Sequence, residues 1–444
     1  MCVPYRADRM AVDSSTCSND SWKEESLLQP IVVGYAFGPK KMSTMKKVMA
    51  DASKSISDTV IQFVPLDLDF PLQQQQQQQQ HEDTTSFDVI LHKMTEDILL
   101  VSSGLSSSQK RVVAIGHDDG CSDDEREMTK AQRRIQQLVT YKETVPSCIL
   151  IDHPKYVETL LCRSDTSHIL SECLVNVTTT TRRIPVRTPN FIIVHEKSQL
   201  VNHTTTLPYP LIAKPLAAAG TVQSHKMVII RRRDGFDKIT IPCLLQEYVN
   251  HNEQLFKVYV LGDNVWVFAR HSLPDLPQGE DTHNMDHDDS FLEFDSQKTY
   301  PSLSDFHIHS NNGSIDYDTR MRLSENTSCS KGSSIIRNND NNQSSNGPFV
   351  IPDELKPDEI RPIVEALRKA FSIDLFGFDL LMSTELSQKN NNETENNRCK
   401  ELLVVDVNYF PSFKEVPNFP LVLAKYLLQR GMEARNNQHQ VILK

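Results

Sequence analysis

The sequence predicts an α/β (α+β) protein built from more than one packed unit, and three observations carry that prediction. Short apolar runs rich in Val, Ile and Phe recur along the chain, helical patterns separate the first and last of them, and polar low-complexity tracts interrupt the series. At 444 residues there is room for two or three domains, and 38% hydrophobic residues suffice for sizeable cores while leaving part of the length unpacked.

The run Ile31–Phe37 (IVVGYAF) reads as a buried strand, followed by a helix over 40–53. Further strands are expected over Val60–Leu68, Asp88–Met94 and Cys148–Asp152, with a charged helix from Asp123 to Leu138 before the last. This alternation makes 31–155 an α/β unit. Strand runs then follow at short spacing: Phe191–Val194, Pro210–Pro215, His225–Arg232, Cys243–Val249, and a pair within Phe256–Arg270 that turns at Gly262-Asp263-Asn264. Short spacing favours antiparallel pairing, so 156–276 is a mostly antiparallel central region. A helix led by Pro357 and running to Phe371, strands over Leu375–Met382 and Glu401–Asn408, and a helix over Leu421–Gln429 form a C-terminal unit, 348–432.

Residues 1–30 and 433–444 read as tails. The eight glutamines Gln73–Gln80 offer no apolar face and read as a loop. Two further tracts, 277–347 with HSNNGS and RNNDNNQSSN, and 384–400 with QKNNNETENN, carry too few aliphatic residues to offset their own ordering entropy. The formal net charge is −11, from 47 Lys+Arg and 58 Asp+Glu, and 271–347 alone contributes −8. The remainder is close to neutral, so an anionic ligand is not excluded; steering depends on the field in the cleft rather than on the total.

Composition excludes several classes. With only 14 glycines the chain is not collagenous, and no G-x-x-x-x-G-K-[ST] or G-x-G-x-x-G string occurs, which removes Walker and dinucleotide-fold sites. Nine cysteines with no C-x-x-C pair fit neither a disulfide framework nor a zinc module and point to a reducing compartment. The N-terminus carries Asp8, Asp13, Asp20, Glu24 and Glu25 and no apolar core, unlike a secretory signal, and no apolar run reaches the ~18 residues of a membrane span. A soluble, monomeric, cytoplasmic or nuclear protein with no nucleic-acid partner is expected.

The late strand pair carries the chemistry. Asp406 and Asn408 are two apart on a strand and share a face, with Val405 and Val407 expected in the core, while Asp379 interrupts the apolar run FGFDLLM. Two carboxylates and an amide oxygen, without Cys or His, suit magnesium. The residue types leave a second reading open, in which Asp379 caps a turn and Asp406 pairs with a lysine. Lys214 at the end of PLIAK and Lys257 in FKVYV add ammonium groups beside apolar strands, and Lys40-Lys41, His92-Lys93, Arg163, His225-Lys226 and Arg270 form a dispersed basic set able to grip a polyanion. Singly, each lysine also fits a snorkelling edge residue and His92 fits a core histidine. Together, magnesium ligands and several lysines describe phosphoryl transfer.

The strings VGYAFGPKK, DVILHKMTEDIL, YPLIAKPLAAAGTVQSHKM, LLQEYVNHNEQLFKVYVLGD, LFGFDLLM and VVDVNYFPSF, in that order, resemble the inositol-tetrakisphosphate 1-kinase family, also called inositol 1,3,4-trisphosphate 5/6-kinases. The resemblance implies an ATP-grasp fold, with ATP between two lobes and an inositol polyphosphate as substrate. It assigns Arg163, Lys214, Gln246, Glu247, Val249, Lys257, Ser272 and Ser296 to the nucleotide, Lys41, His225, Lys257 and Asn408 to the substrate, and Asp379, Asp406 and Asn408 to two magnesium ions. Lys257, His225, Asp406 and Asn408 are its implied catalytic set, and Gly220 would open a loop that closes over the phosphates. Three positions depart from the family pattern: Tyr300 stands for a serine, Cys162 for an aspartate and Ser412 for a glycine. An ATP-grasp carboxylate–amine ligase and a non-catalytic inositol-phosphate receptor are the rival readings; Lys41, His92, Lys93 and His225 weigh against the first, the intact metal set against the second.

Overall fold

A computed structural model describes residues 29–56, 60–72, 86–104, 123–203, 207–218, 223–279, 290–306, 350–384 and 400–442. The glutamine run, nearly all of the N-terminal tail, most of the tracts at 277–347 and 384–400, and Gly220 lie outside the described residues.

Three sheets organise the chain. The first is parallel, in the order β2-β1-β3-β4, from β1 (Ile31–Phe37), β2 (Ile61–Pro65), β3 (Val89–Lys93) and β4 (Ile149–Ile151). Helices α1 (Pro39–Ile56), α2 (Thr95–Gly104) and α3 (Asp123–Thr144) connect its strands. A parallel strand is buried on both faces, which explains the unbroken apolar run of β1: Ile31 and Val33 enter one core and Val32 and Ala36 the other. The C-terminal helix returns across this sheet, and it comes so close that a Cβ at Gly431 would lie 2.2 Å from Ile31 Cγ2. That helix, α8 in chain order, spans Phe419–Ile442 and so runs through the segment expected as a tail from 433.

The second sheet is antiparallel, β12-β8-β7-β9-β6, from β6 (Phe191–Val194), β7 (Leu211–Pro215), β8 (Lys226–Ile230), β9 (Cys243–Glu247) and β12 (Phe291–Asp295). Strand β12 lies in the acidic tract read as unpacked. Its sequence FLEFD pairs with β8, and Leu292 and Phe294 pack beside the core of Ile212 and Ile229 while Glu293 and Asp295 dilute the apolar signal.

The third sheet, β11-β10-β13-β14-β5, uses β5 (Val186–Arg187), β10 (Gln254–Leu261), β11 (Asn264–His271), β13 (Leu375–Met382) and β14 (Leu402–Tyr409), antiparallel except for β5. Leu261 pairs with Asn264 across the hairpin, and Gly262 takes φ +54°, where a side chain is strained. In chain order, helices α4 (Pro154–Glu158) and α5 (Arg163–Cys173) lie between β4 and β5, and α6 (Lys197–His203) lies between β6 and β7. Helix α7 (Arg361–Phe371) begins four residues later than expected from Pro357, because Pro362 is tolerated only in a first turn. It buries Ile363, Val364, Leu367 and Phe371 on one stripe. No helix among the described residues is long and apolar enough to cross a membrane.

Candidate active site

The second and third sheets face each other across a cleft of about 280 Å3, joined by the chain that links β9 to β10. Twelve of the residues singled out from sequence line it: Arg163, Lys214, His225, Gln246, Glu247, Val249, Lys257, Ser272, Ser296, Asp379, Asp406 and Asn408. Lys41 does not line this cleft; it belongs to α1.

Strand register builds the acidic centre. Lys257 pairs with Asp379 between β10 and β13, and Asp379 pairs with Asp406 between β13 and β14. Lys257 Nζ is 3.4 Å from Asp379 Oδ1, an ion pair without hydrogen-bond geometry, and that buried oxygen has no hydrogen-bond partner. The lysine pairing expected of Asp406 in the second reading therefore falls to Asp379. Burial pushes the Asp379 carboxyl up, Lys257 opposes the rise and Asp406 adds to it. Asn408 Nδ2 donates to Asp406 Oδ2 (3.0 Å), and Asp406 Oδ1 accepts from Val407 N (3.0 Å).

One placement on this strand differs from the expectation. Val407 enters the core, but Val405 lines the cleft with Asp406. The register shifts here, with Leu380 opposite Val404 and Asp379 opposite Asp406, so Val405 is the extra residue of a bulge that breaks the simple alternation.

The opposite wall is cationic. Lys214 Nζ donates to Gln246 Oε1 (2.6 Å), and burial, with Arg163 nearby, lowers its pKa to about 8. Arg163 donates to the carbonyls of Pro215 (2.6 Å), Ala217 (2.8 Å) and Ser224 (3.0 Å), clasping both ends of the segment that contains Gly220. Cys162, the residue before it, is the N-cap of α5 and makes no side-chain cap bond.

Glu247 turns its carboxylate to Arg187 (2.5 Å) and Asn190 (2.5 Å), so the β9 exit is anchored from outside the cleft. His251 holds the next turn. Its Nδ1 contacts Val249 O (2.7 Å), a pure acceptor, so Nδ1 carries the proton and Nε2 accepts from the Ser272 hydroxyl (2.8 Å). Burial lowers the His251 pKa, in keeping with a neutral ring. His225 Nε2 accepts from the Gln297 amide (2.9 Å), and its carbonyl accepts from Ser296 N (2.9 Å); burial first, then Arg163, lowers its pKa. Tyr300 also lines the cleft, edge-on to Phe294 at 5.9 Å. Gln297 carried no signal of its own in sequence beyond lying beside Ser296, whereas His251 falls inside the string LLQEYVNHNEQLFKVYVLGD, whose stretch from Gln246 to Lys257 the resemblance places at the nucleotide.

A second basic group borders the strand end just past Asn408. Lys93 Nζ donates to the carbonyls of Tyr409 (3.2 Å) and Phe410 (2.9 Å), and Lys41 Nζ donates to Pro411 O (3.1 Å) above the Phe410 ring. Burial lowers Lys41 to about 7, with Lys93 and Lys414 adding, and lowers Lys93 to about 8. His92 is not part of this group: it is fully buried, its Nε2 lies 2.5 Å from Asp152 O, and desolvation lowers its pKa to about 4. It alternates with Lys93 along β3, so one faces the core and the other leaves it. Lys226 is exposed, and Arg270 is engaged by Glu415. Ser412 needs no glycine conformation; the left-handed residues of its turn are Phe410 and Phe413.

Residues 181–305 and 296–429, more than half of the chain, match the family described as "Inositol 1,3,4-trisphosphate 5/6-kinase ATP-grasp domain". A Zea mays protein named inositol-tetrakisphosphate 1-kinase 1 is 25% identical over 402 residues, 89% of this chain and 87% of that one. The Xenopus laevis inositol-tetrakisphosphate 1-kinase is 26% identical over 413 residues, 91% of this chain and 81% of that one. Among solved structures, the ATP-grasp ligase PsnB aligns over 91% of this chain and 99% of its own at 11% identity and a TM-score of 0.44, too low to bear on function. Chain order, cleft and sequence agree: the chain belongs to the inositol 1,3,4-trisphosphate 5/6-kinase family of ATP-grasp enzymes.

Proposed function

We propose that this kinase transfers the γ-phosphoryl group of ATP to a hydroxyl of an inositol polyphosphate, with magnesium held by Asp379, Asp406 and Asn408. The observation that carries the reading is the row of Lys257, Asp379 and Asp406 at paired positions of three adjoining strands, facing Lys214 and Arg163 across one cleft.

The residues fit a magnesium site on their own chemistry. Asp379 Oδ1 is a buried, unbonded carboxylate oxygen, a costly arrangement that a hard cation would relieve, and every donor of the set is oxygen. Bound magnesium, two ions in our reading, would supply charge neutralisation at the phosphates. Lys257 and Lys214 would carry the remaining positive charge, and the backbone of 247–249 would border the nucleotide base. The substrate would sit between His225 and the Lys41–Lys93 edge, its phosphates deciding which hydroxyl faces the γ-phosphoryl group. No side chain stands out as a general base, and a loose transition state demands little from one.

The ligase reading needs a site for an amino group; two lysines, at 41 and 93, gathered at one strand end favour a polyanion instead. The purified chain incubated with magnesium, ATP and a panel of inositol polyphosphates of defined isomer should yield a species with one more phosphate. ATP binding with no inositol phosphate consumed would refute the kinase.

A further inference from the structure

We infer that the Tyr409 hydroxyl is a positioning group that fixes the lysine-bearing edge of the parallel sheet against the Asp406–Asn408 strand, so that inositol-phosphate affinity depends on it and ATP affinity does not. This rests on the kinase reading above.

The chain alternates along β14: Asp406 and Asn408 face the cleft, whereas Val407 and Tyr409 enter the core behind it. The Tyr409 ring therefore reaches the junction where the ends of β3 and β4 abut the third sheet, 5.9 Å from the His92 ring. Its hydroxyl lies 2.7 Å from His92 O and 3.0 Å from Ile151 O, and accepts from Asp152 N at 2.8 Å. A phenol has one proton, so it donates to one carbonyl at a time, the nearer being that of His92. The next residue on β3 returns the bond, since Lys93 Nζ donates to Tyr409 O and Phe410 O. Hydroxyl, His92 carbonyl, Lys93 side chain and Tyr409 carbonyl thus close a ring between two sheets.

The ring sets the Lys93 ammonium, and the neighbouring Lys41, at a fixed distance from Asn408. None of its bonds involves Lys214, Gln246 or the 247–249 segment, which belong to the second sheet or its exit. A misplacement on the order of 1 Å is enough to weaken a multipoint grip on phosphates.

The test is Tyr409→Phe, which keeps the ring and its packing. Its KM for the inositol polyphosphate should rise about tenfold while KM for ATP stays within about twofold. In a Lys93→Gln background the same change should add little, because residues acting through one another are not additive. A merely structural role predicts lower melting temperature with both KM values moved alike, or full additivity, and either result overturns the inference. If the variant is marginal at working temperature, assays in the cold favour its folded form, with ATP and magnesium saturating while the inositol polyphosphate is varied and the inositol polyphosphate saturating while ATP is varied. Turnover by the unaltered chain with an unchanged Tyr409→Phe sinks only this inference; an inert unaltered chain sinks the kinase reading and this with it.

Discussion

Lys257 Nζ and Asp379 Oδ1 stand 3.4 Å apart on paired positions of β10 and β13, and the carboxylate oxygen that meets the lysine has no hydrogen-bond partner. An acid buried in this way destabilises the free protein and is available to a cation.

Asp406→Asn is expected to reduce turnover at least ~100-fold while leaving the fold intact, since the amide preserves shape but removes a charge from the transfer point. Steady-state assays and melting curves check it; a rate within a few-fold of the unaltered enzyme removes Asp406 from the metal set. ATP should raise the melting temperature of the unaltered chain only with magnesium present, and not at all in this variant.

Substrate affinity should strengthen as pH falls through about 7. Lys41 has its pKa lowered to about 7, chiefly by burial, so above that pH it is largely neutral and a polyanion must bind it together with a proton. The substrate's own phosphates also titrate, so the comparison is with Lys41→Arg, which should lose the Lys41 share of the pH dependence. Calorimetry in buffers of different ionisation heat would register fewer protons taken up by the variant.

Asp152 should make the protein less stable as pH rises from about 4 to about 7. Its folded-state pKa is raised to about 7, mainly by burial, above the ordinary 3.8, so its stabilising contribution is complete below the unfolded value and is lost as pH climbs through the folded one. Asp152→Asn should flatten that part of the melting-temperature profile, and a parallel profile would refute the assignment.

Cys162→Asp should stabilise the enzyme by about 1 kcal/mol, because position 162 caps α5 and its thiol makes no cap bond. Denaturant unfolding measures the gain; no increase would mean that the extended Cys162 backbone already satisfies the helix start.

Much of this was legible in the sequence because burial writes itself into residue type. IVVGYAF and LFGFDLLM announce strands, and an acid at 379 inside such a run announces a functional demand. Strand periodicity failed where the backbone departs from it: a bulge at Val405 turns a residue outward that alternation turns inward. Strand β12 was hidden because its apolar residues stand beside polar or acidic ones within an acidic tract, and only pairing with β8 brings Leu292 and Phe294 to a core. His92 and Lys93 are adjacent and both basic; which one is buried follows from where β3 ends, a tertiary fact. Lys41 joins the strand end past Asn408 across more than 300 residues of sequence, a proximity no local pattern encodes.

The three carbonyls gathered by Arg163 have a bearing on how this enzyme can vary. Pro215 and Ala217 on one side and Ser224 on the other are tied through main-chain atoms to one guanidinium, so their hold does not depend on what side chains lie between them. Lys214 just upstream and His225 just downstream are thus spaced through one side chain, so a single change at Arg163 would loosen two points of the cationic wall at once.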